Sequence, residues 1–147
     1  MRVRAQSLLL LGVVAAASAG CDFGHASPTL PDQSNVAFST TDLTVGTGAV
    51  AGSGQTANVT YSIWLYSTSA TAQDHKGTQL QGGTFPFQIG ANQVIKGFEQ
   101  AVTGMAVGGT RRAIVPPSLA YGSSGSPDGA IPPNAAIVFE IQLNSLQ

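Results

Sequence analysis

Val107-Gly-Gly-Thr-Arg-Arg-Ala-Ile-Val-Pro-Pro-Ser-Leu-Ala-Tyr-Gly122, a Ser/Gly-rich run to Gly129, and Ala130-Ile-Pro-Pro-Asn-Ala-Ala-Ile-Val-Phe139 together decide the fold. Thr110 to Val115 has the β-branched character of a strand, and Pro116-Pro117 stops it because proline brings no N–H to a ladder. Ala120-Tyr121-Gly122 with Ser123-Ser124-Gly125-Ser126 reads as a turn and loop. A second Pro-Pro, at 132 and 133, leads into a second apolar strand from Ala136 to Leu143.

Upstream of this stretch, Ile95 to Met105 is the one good helix candidate. Phe98, Ala101, Val102 and Met105 fall on one side, and Gly104 is placed to terminate it. Phe85-Pro86-Phe87-Gln88-Ile89 alternates, which predicts a strand with Phe85, Phe87 and Ile89 on one face. A short strand is expected near Thr78 to Leu80, a long one over Thr56 to Tyr66, and a first one over Thr41 to Val45, with a turn-rich connector from Gly46 to Gly54. The sum is an α+β fold, an antiparallel sheet curved around one short helix.

The rest of the 147-residue chain adds little to this core. Met1 to Gly20 carries Arg2 and Arg4, the apolar stretch Leu8 to Ala17 and then small residues, the pattern of an export signal. Cys21 follows at once and is the only cysteine, so it has no internal partner. Its position resembles the lipidated cysteine of bacterial lipoproteins, although Ser18 stands where that motif usually has leucine. The other reading is cleavage after Ala17-Ser18-Ala19 and release. Both place the protein outside the cytoplasm, in the periplasm or cell envelope. Residues 21–36, rich in Ser, Pro and Gly without an apolar period, are expected to form a flexible tether, leaving 37–147 as one domain.

With the leader removed, Lys76, Lys96, Arg111 and Arg112 face acids at Asp22, Asp32, Asp42, Asp74, Glu99, Asp128 and Glu140. That balance argues against nucleic acid as a partner. The leader is too short for a comfortable membrane span, so attachment is expected only through a lipid on Cys21. His25 and His75 lack spaced partners for a metal site, and no serine has a histidine near it for nucleophilic catalysis. Arg111-Arg112 are expected to be solvated and paired with one carboxylate, Glu99 or Glu140.

In order and spacing, the 107–139 stretch resembles FKBP-type peptidyl-prolyl cis-trans isomerases. Gln93-Val94-Ile95-Lys96-Gly97-Phe98-Glu99 is similar to the segment that floors the pocket in that family, and Val59-Thr60-Tyr61 to its early strand. The resemblance spans Asp42 to Leu146. It implies that Tyr61, Leu80, Phe85, Val94, Ile95, Phe98, Tyr121, Ile131 and Phe139 line a proline cup. Phe98 would be its floor, where many relatives carry tryptophan. Tyr121 would donate its hydroxyl to one substrate carbonyl and the Ile95 N–H to another, and Ala130-Ile131-Pro132 would form a flap.

Taken singly, most of these apolar residues would pass for ordinary core, and Tyr61 for a strand residue bonded only for stability. Tyr121 carries more weight, because a loop is a poor place for a packing tyrosine. Relatives usually have Phe-Asp-Ser-Ser after the Gly-Thr turn, whereas here Leu80-Gln81-Gly82-Gly83 follows Gly77-Thr78-Gln79. Gln81 therefore stands where the family's carboxylate assists catalysis, unless the shorter segment displaces both residues from the cup.

The implied function is isomerisation of Xaa-Pro bonds in proline-containing polypeptides during folding of exported proteins. The alternative is a proline-binding chaperone or scaffold with weak or no turnover, which Leu80-Gln81 favours. No cofactor is implied. The family's macrocyclic ligands are an implied partner class, and a monomer is expected because no added helix or zipper is present.

Overall fold

The computed structural model describes residues 32–69 and 72–147. The leader, Cys21 and most of the expected tether lie outside these residues. Five strands form one antiparallel sheet: β1 (Ser39–Thr44), β2 (Thr56–Tyr66), β3 (Lys76–Gln88), β4 (Thr110–Val115) and β5 (Ile137–Leu146), in the spatial order β1-β4-β5-β2-β3. One α-helix is present among the described residues, α1 (Lys96–Val102), and it packs against β4 and β5. This is the expected α+β arrangement.

Alternation decides which face is covered. Ala57, Val59 and Ile63 of β2 and Ile137, Phe139, Ile141 and Leu143 of β5 are buried, while Thr60 and Gln142 between them are exposed. Ala101 and Val102 of α1 close over this face with Phe98 and Met105. On the opposite face, the Thr60 and Thr84 hydroxyls bond at 2.8 Å, and Asn144 donates to Thr60 at 2.9 Å, so the uncovered side is finished with polar pairs.

Gly97 lets the helix sit close. A Cβ there would meet Val115 Cγ1 at 2.2 Å, so a larger residue would push α1 off β4.

Four expectations need correction. The helix ends at Val102 rather than Met105. Gly104 takes a φ of +80°, and the chain beyond it pairs with the 49–51 connector, Ala51 N donating to Met105 O at 2.7 Å and Val107 N to Ala49 O at 2.9 Å. The two strands expected near 78–80 and 85–89 are one strand, β3. It lies at a sheet edge, where Pro86 costs no ladder bond. The first strand runs Ser39–Thr44 instead of Thr41–Val45. Gln33, inside the expected tether, is buried against the domain: it donates to Tyr66 O at 3.2 Å and accepts from Ala136 N at 2.7 Å.

The arginines are paired more fully than expected. Arg111 donates to Asp42 across the β1–β4 pair and to the carbonyls of Ala101 and Thr103, tying α1 to the sheet. Arg112 meets both Glu140 at 3.0 Å and Asp74 at 2.9 Å. Glu99 is not a partner of either; it accepts from the Gly90 N–H. Burial acts to raise the Glu140 carboxyl's pKa, but Lys76 and Arg112 outweigh it and hold the group below its ordinary value.

Candidate functional site

One cavity of about 810 Å³ opens between the covered face of the sheet, the start of α1 and the loop between β4 and β5. Its base is aromatic. Phe98 is buried and stands edge to face with Phe139 at 5.0 Å between centroids, Phe87 at 5.7 Å and Tyr61 at 5.9 Å, and is tilted against Phe85 at 5.8 Å. Tyr61 in turn stands edge-on to Phe85 at 5.5 Å. These edge contacts fix the ring planes rather than leaving them to slide.

Tyr61, Leu80, Phe85, Val94, Ile95, Phe98, Tyr121, Ile131 and Phe139 all line this cavity, and Gln81 lies beside them. Leu80 and Gln81 reach it through a bulge. Ser62 pairs with Gly82 and Trp64 with Gln79, so Ile63 alone stands opposite both residues. A bulge gives two successive residues on one strand the space of one on its partner, which is how neighbours in sequence come to line the same cavity.

Two residues of the cavity lining, Ile95 and Tyr121, carry hydrogen-bond donors. Ile95 is the residue before α1, with extended backbone (φ −60°, ψ 147°), and its carbonyl accepts from Phe98 N at 3.0 Å and Glu99 N at 3.2 Å. Its own N–H has no acceptor among the described residues, as the geometry of a helix start predicts. Tyr121 lies half-buried beyond the 3-10 turn Pro117–Leu119, held by Gly122 N donating to Pro117 O at 2.9 Å and Asn134 N donating to Gly122 O at 2.8 Å. Burial first, then electrostatic repulsion from Asp128 and from the Tyr61 hydroxyl, pushes the Tyr121 hydroxyl above its ordinary pKa. At neutral pH it is a protonated donor.

Gln93 of the floor segment and Ala130 of the expected flap also line the cavity, together with Ile63, Gln79, Ser126, Pro127 and Asp128, which were not expected there. Gln93 is positioned by accepting from Gln88 N at 2.9 Å. Ser126 to Ala130 is folded inward by Ser126 N donating to Ile131 O at 2.9 Å and Ile131 N donating to the Ser126 hydroxyl at 2.8 Å. The Ser-Pro-Asp-Gly composition signalled a turn but carried no sign of where the turn would point.

The only tryptophan is not in the cup. Trp64 lies beneath Lys76, whose ammonium is 4.6 Å from the ring centroid, and His75 stacks on Tyr66 at 4.8 Å. Among the described residues no cluster of three or more His, Cys, Asp or Glu could hold a metal ion, and no helix is long and apolar enough to cross a membrane.

Residues 48–144 match the model of the FKBP-type peptidyl-prolyl cis-trans isomerase family. An FK506-binding protein of Streptomyces anulatus is 43% identical over 104 residues, covering 69% of this chain and 80% of that protein. The 46 kDa FK506-binding nuclear protein of Spodoptera frugiperda is 38% identical over 108 residues, 72% of this chain, which thus spans only about a quarter (24%) of that relative's length. The crystal structure of a peptidyl-prolyl cis-trans isomerase from Pseudomonas syringae pv. tomato superposes with a TM-score of 0.61 at 27% identity, covering 83% of this chain and 84% of that one. The matched region contains the aromatic cup, Ile95 and Tyr121, the strands β2 to β4 and β5 up to Asn144, and the chain belongs to the FKBP-type peptidyl-prolyl cis-trans isomerase family of enzymes.

Proposed function

We propose that this chain accelerates cis-trans exchange of Xaa-Pro bonds in polypeptides folding outside the cytoplasm. The observation that carries the reading is the aromatic nest of Phe98, Tyr61, Phe85 and Phe139 with the free Ile95 N–H and the Tyr121 hydroxyl at its rim. Twisting the amide against its barrier of roughly 20 kcal/mol needs no covalent bond to the enzyme. A twisted amide has lost its resonance and is less strongly solvated than a planar one. A dry cup favours it over the planar form, and two donors hold the flanking carbonyls in place.

In this reading the proline ring rests on Phe98 between Tyr61, Phe85, Val94 and Phe139. Leu80 supplies an apolar wall, Ile131 is the flap, and Tyr121 and Ile95 donate to substrate carbonyls. Gln81 offers a hydrogen bond where relatives usually place a carboxylate. The apolar cup is also suited to the family's macrocyclic ligands. The residues around Cys21 support export and a lipid anchor, which would hold a monomeric domain at the envelope surface.

Exchange spectroscopy on a Leu-Pro-Phe peptide, with and without catalytic amounts of residues 22–147, tests the activity. Acceleration is the expected result. Peptide shifts on saturation without acceleration would instead establish the proline-binding alternative that Leu80-Gln81 favours. Mass spectrometry of the membrane-associated protein, with Cys21→Ser as control, tests the anchor; an unmodified thiol in the mature chain would refute it.

A further inference from the structure

The cavity has one charged residue in its lining, Asp128. Its Oδ1 is committed to the loop, accepting from the Ser126 hydroxyl and from Ala130 N at 3.1 Å, and these bonds hold the carboxyl below its ordinary pKa. No other described residue donates to Oδ2, and no described cation lies within ion-pair distance. Lys76, Arg111 and Arg112 are engaged by Glu140, Asp42 and Asp74. Lys96, the described basic side chain outside those pairs, is exposed and does not line the cavity. The rest of the polar rim is neutral: Gln79, Gln81, Gln93 and Ser126.

We propose that Asp128 is a specificity residue that selects polypeptides carrying a lysine or arginine beside the proline-containing segment and disfavours those carrying an acid there. The inference rests on the proline-binding reading of this cavity. A chain whose proline sits on Phe98 beside Tyr121 passes the Ser126–Ala130 loop, because both lie along the same wall. Asp128 is near enough to Tyr121 for its charge to act on that hydroxyl. The carboxylate is pre-positioned by its two bonds within the loop, so little ordering is needed when a cation arrives. Being exposed, it is worth the modest energy of a surface ion pair, which corresponds to about a two- to fivefold preference at low ionic strength.

The test uses two peptide series, Xaa-Leu-Pro-Phe and Leu-Pro-Phe-Xaa, with Xaa as Lys, Gln or Glu. Exchange rate and binding are both read by NMR, at about 20 mM and about 500 mM salt. In at least one series the Lys peptide is expected to exceed the Glu peptide about two- to fivefold at low salt. High salt, where the screening length falls to about 4 Å, and Asp128→Asn, which keeps the Oδ1 acceptor, are each expected to bring that ratio near one. Equal binding of Lys and Glu peptides, or a Lys preference that survives in Asp128→Asn, would overturn the proposal. Charge-selective binding without any acceleration would retain it while removing the isomerase reading, and no binding of any peptide would overturn both. The salt comparison decides the matter in the unaltered protein even if the variant proves poorly folded.

Discussion

The Phe98 ring meets the Phe139 ring at 5.0 Å and an interplanar angle of 76°, which joins the start of α1 to the central strand β5 at the bottom of the cup. Through this contact the helix and the sheet hold one surface between them. Movement of either element would change the floor that a proline ring meets.

Replacement of Phe98 should therefore affect folding and site together. Phe98→Ala is expected to cost about 3–5 kcal/mol of stability and nearly all turnover. Phe98→Leu retains most of the volume, should remain folded, and should still lose turnover at least about tenfold because the ring face is gone. Denaturant melts paired with exchange rates separate the two effects. Undiminished turnover in folded Phe98→Leu would refute the floor assignment.

Tyr121→Phe removes one hydrogen bond worth about 1 kcal/mol, so a loss of roughly fivefold in turnover is expected, with the fold intact. The pH dependence follows from the raised pKa. The folded state holds the phenolic proton more tightly than the unfolded chain does. Its contribution to stability is complete below the ordinary tyrosine value of about 10 and is lost as pH rises through the folded value. Turnover should show no fall from this group across the neutral range and should decline only at strongly alkaline pH, a decline absent in Tyr121→Phe.

Leu80 and Gln81 occupy the bulge that lines the cavity, so substitutions there act at the cup. Gln81→Asp is expected to raise turnover by a few-fold, since a carboxylate at the rim adds a charge-assisted interaction. An unchanged or lower rate would mean that shape and desolvation account for the catalysis. Leu80→Phe should tighten binding of proline peptides by restoring a ring wall, measurable by titration.

Gln33 satisfies the Ala136 N–H at a buried position. Gln33→Ala should destabilise the domain by about 1–3 kcal/mol, because the donor would lose its acceptor away from water. Shortening the chain to residues 37–147 should cost a similar amount. An unchanged urea midpoint in both would show that water replaces the side chain.

Much of the fold was legible before any coordinates. The alternation in β2 and β5, the Pro-Pro stops and the apolar side of α1 are local signals, and local periodicity determines which side chains can share a face. The helix end was less legible. Met105 continues the apolar side, but pairing of residues 104 and 105 with Ala51 in the 49–51 connector takes them from the helix. The pocket aromatics were legible through their pattern together, since each alone is indistinguishable from core.

The amino-acid sequence by itself determined the strands β2, β4 and β5, the short helix of the domain, the aromatic content of the cup and the glutamine at position 81 where relatives usually carry a carboxylate. Tertiary structure alone decided that Leu80 and Gln81 share one cavity through a bulge, that Gln33 plugs the end of the sheet, and that Asp128 is turned into the rim. The physical reason is range. Periodicity and turn chemistry act over a few residues, whereas a bulge depends on register against another strand, and the neighbours of a loop carboxylate or a buried amide come from residues far away in the chain.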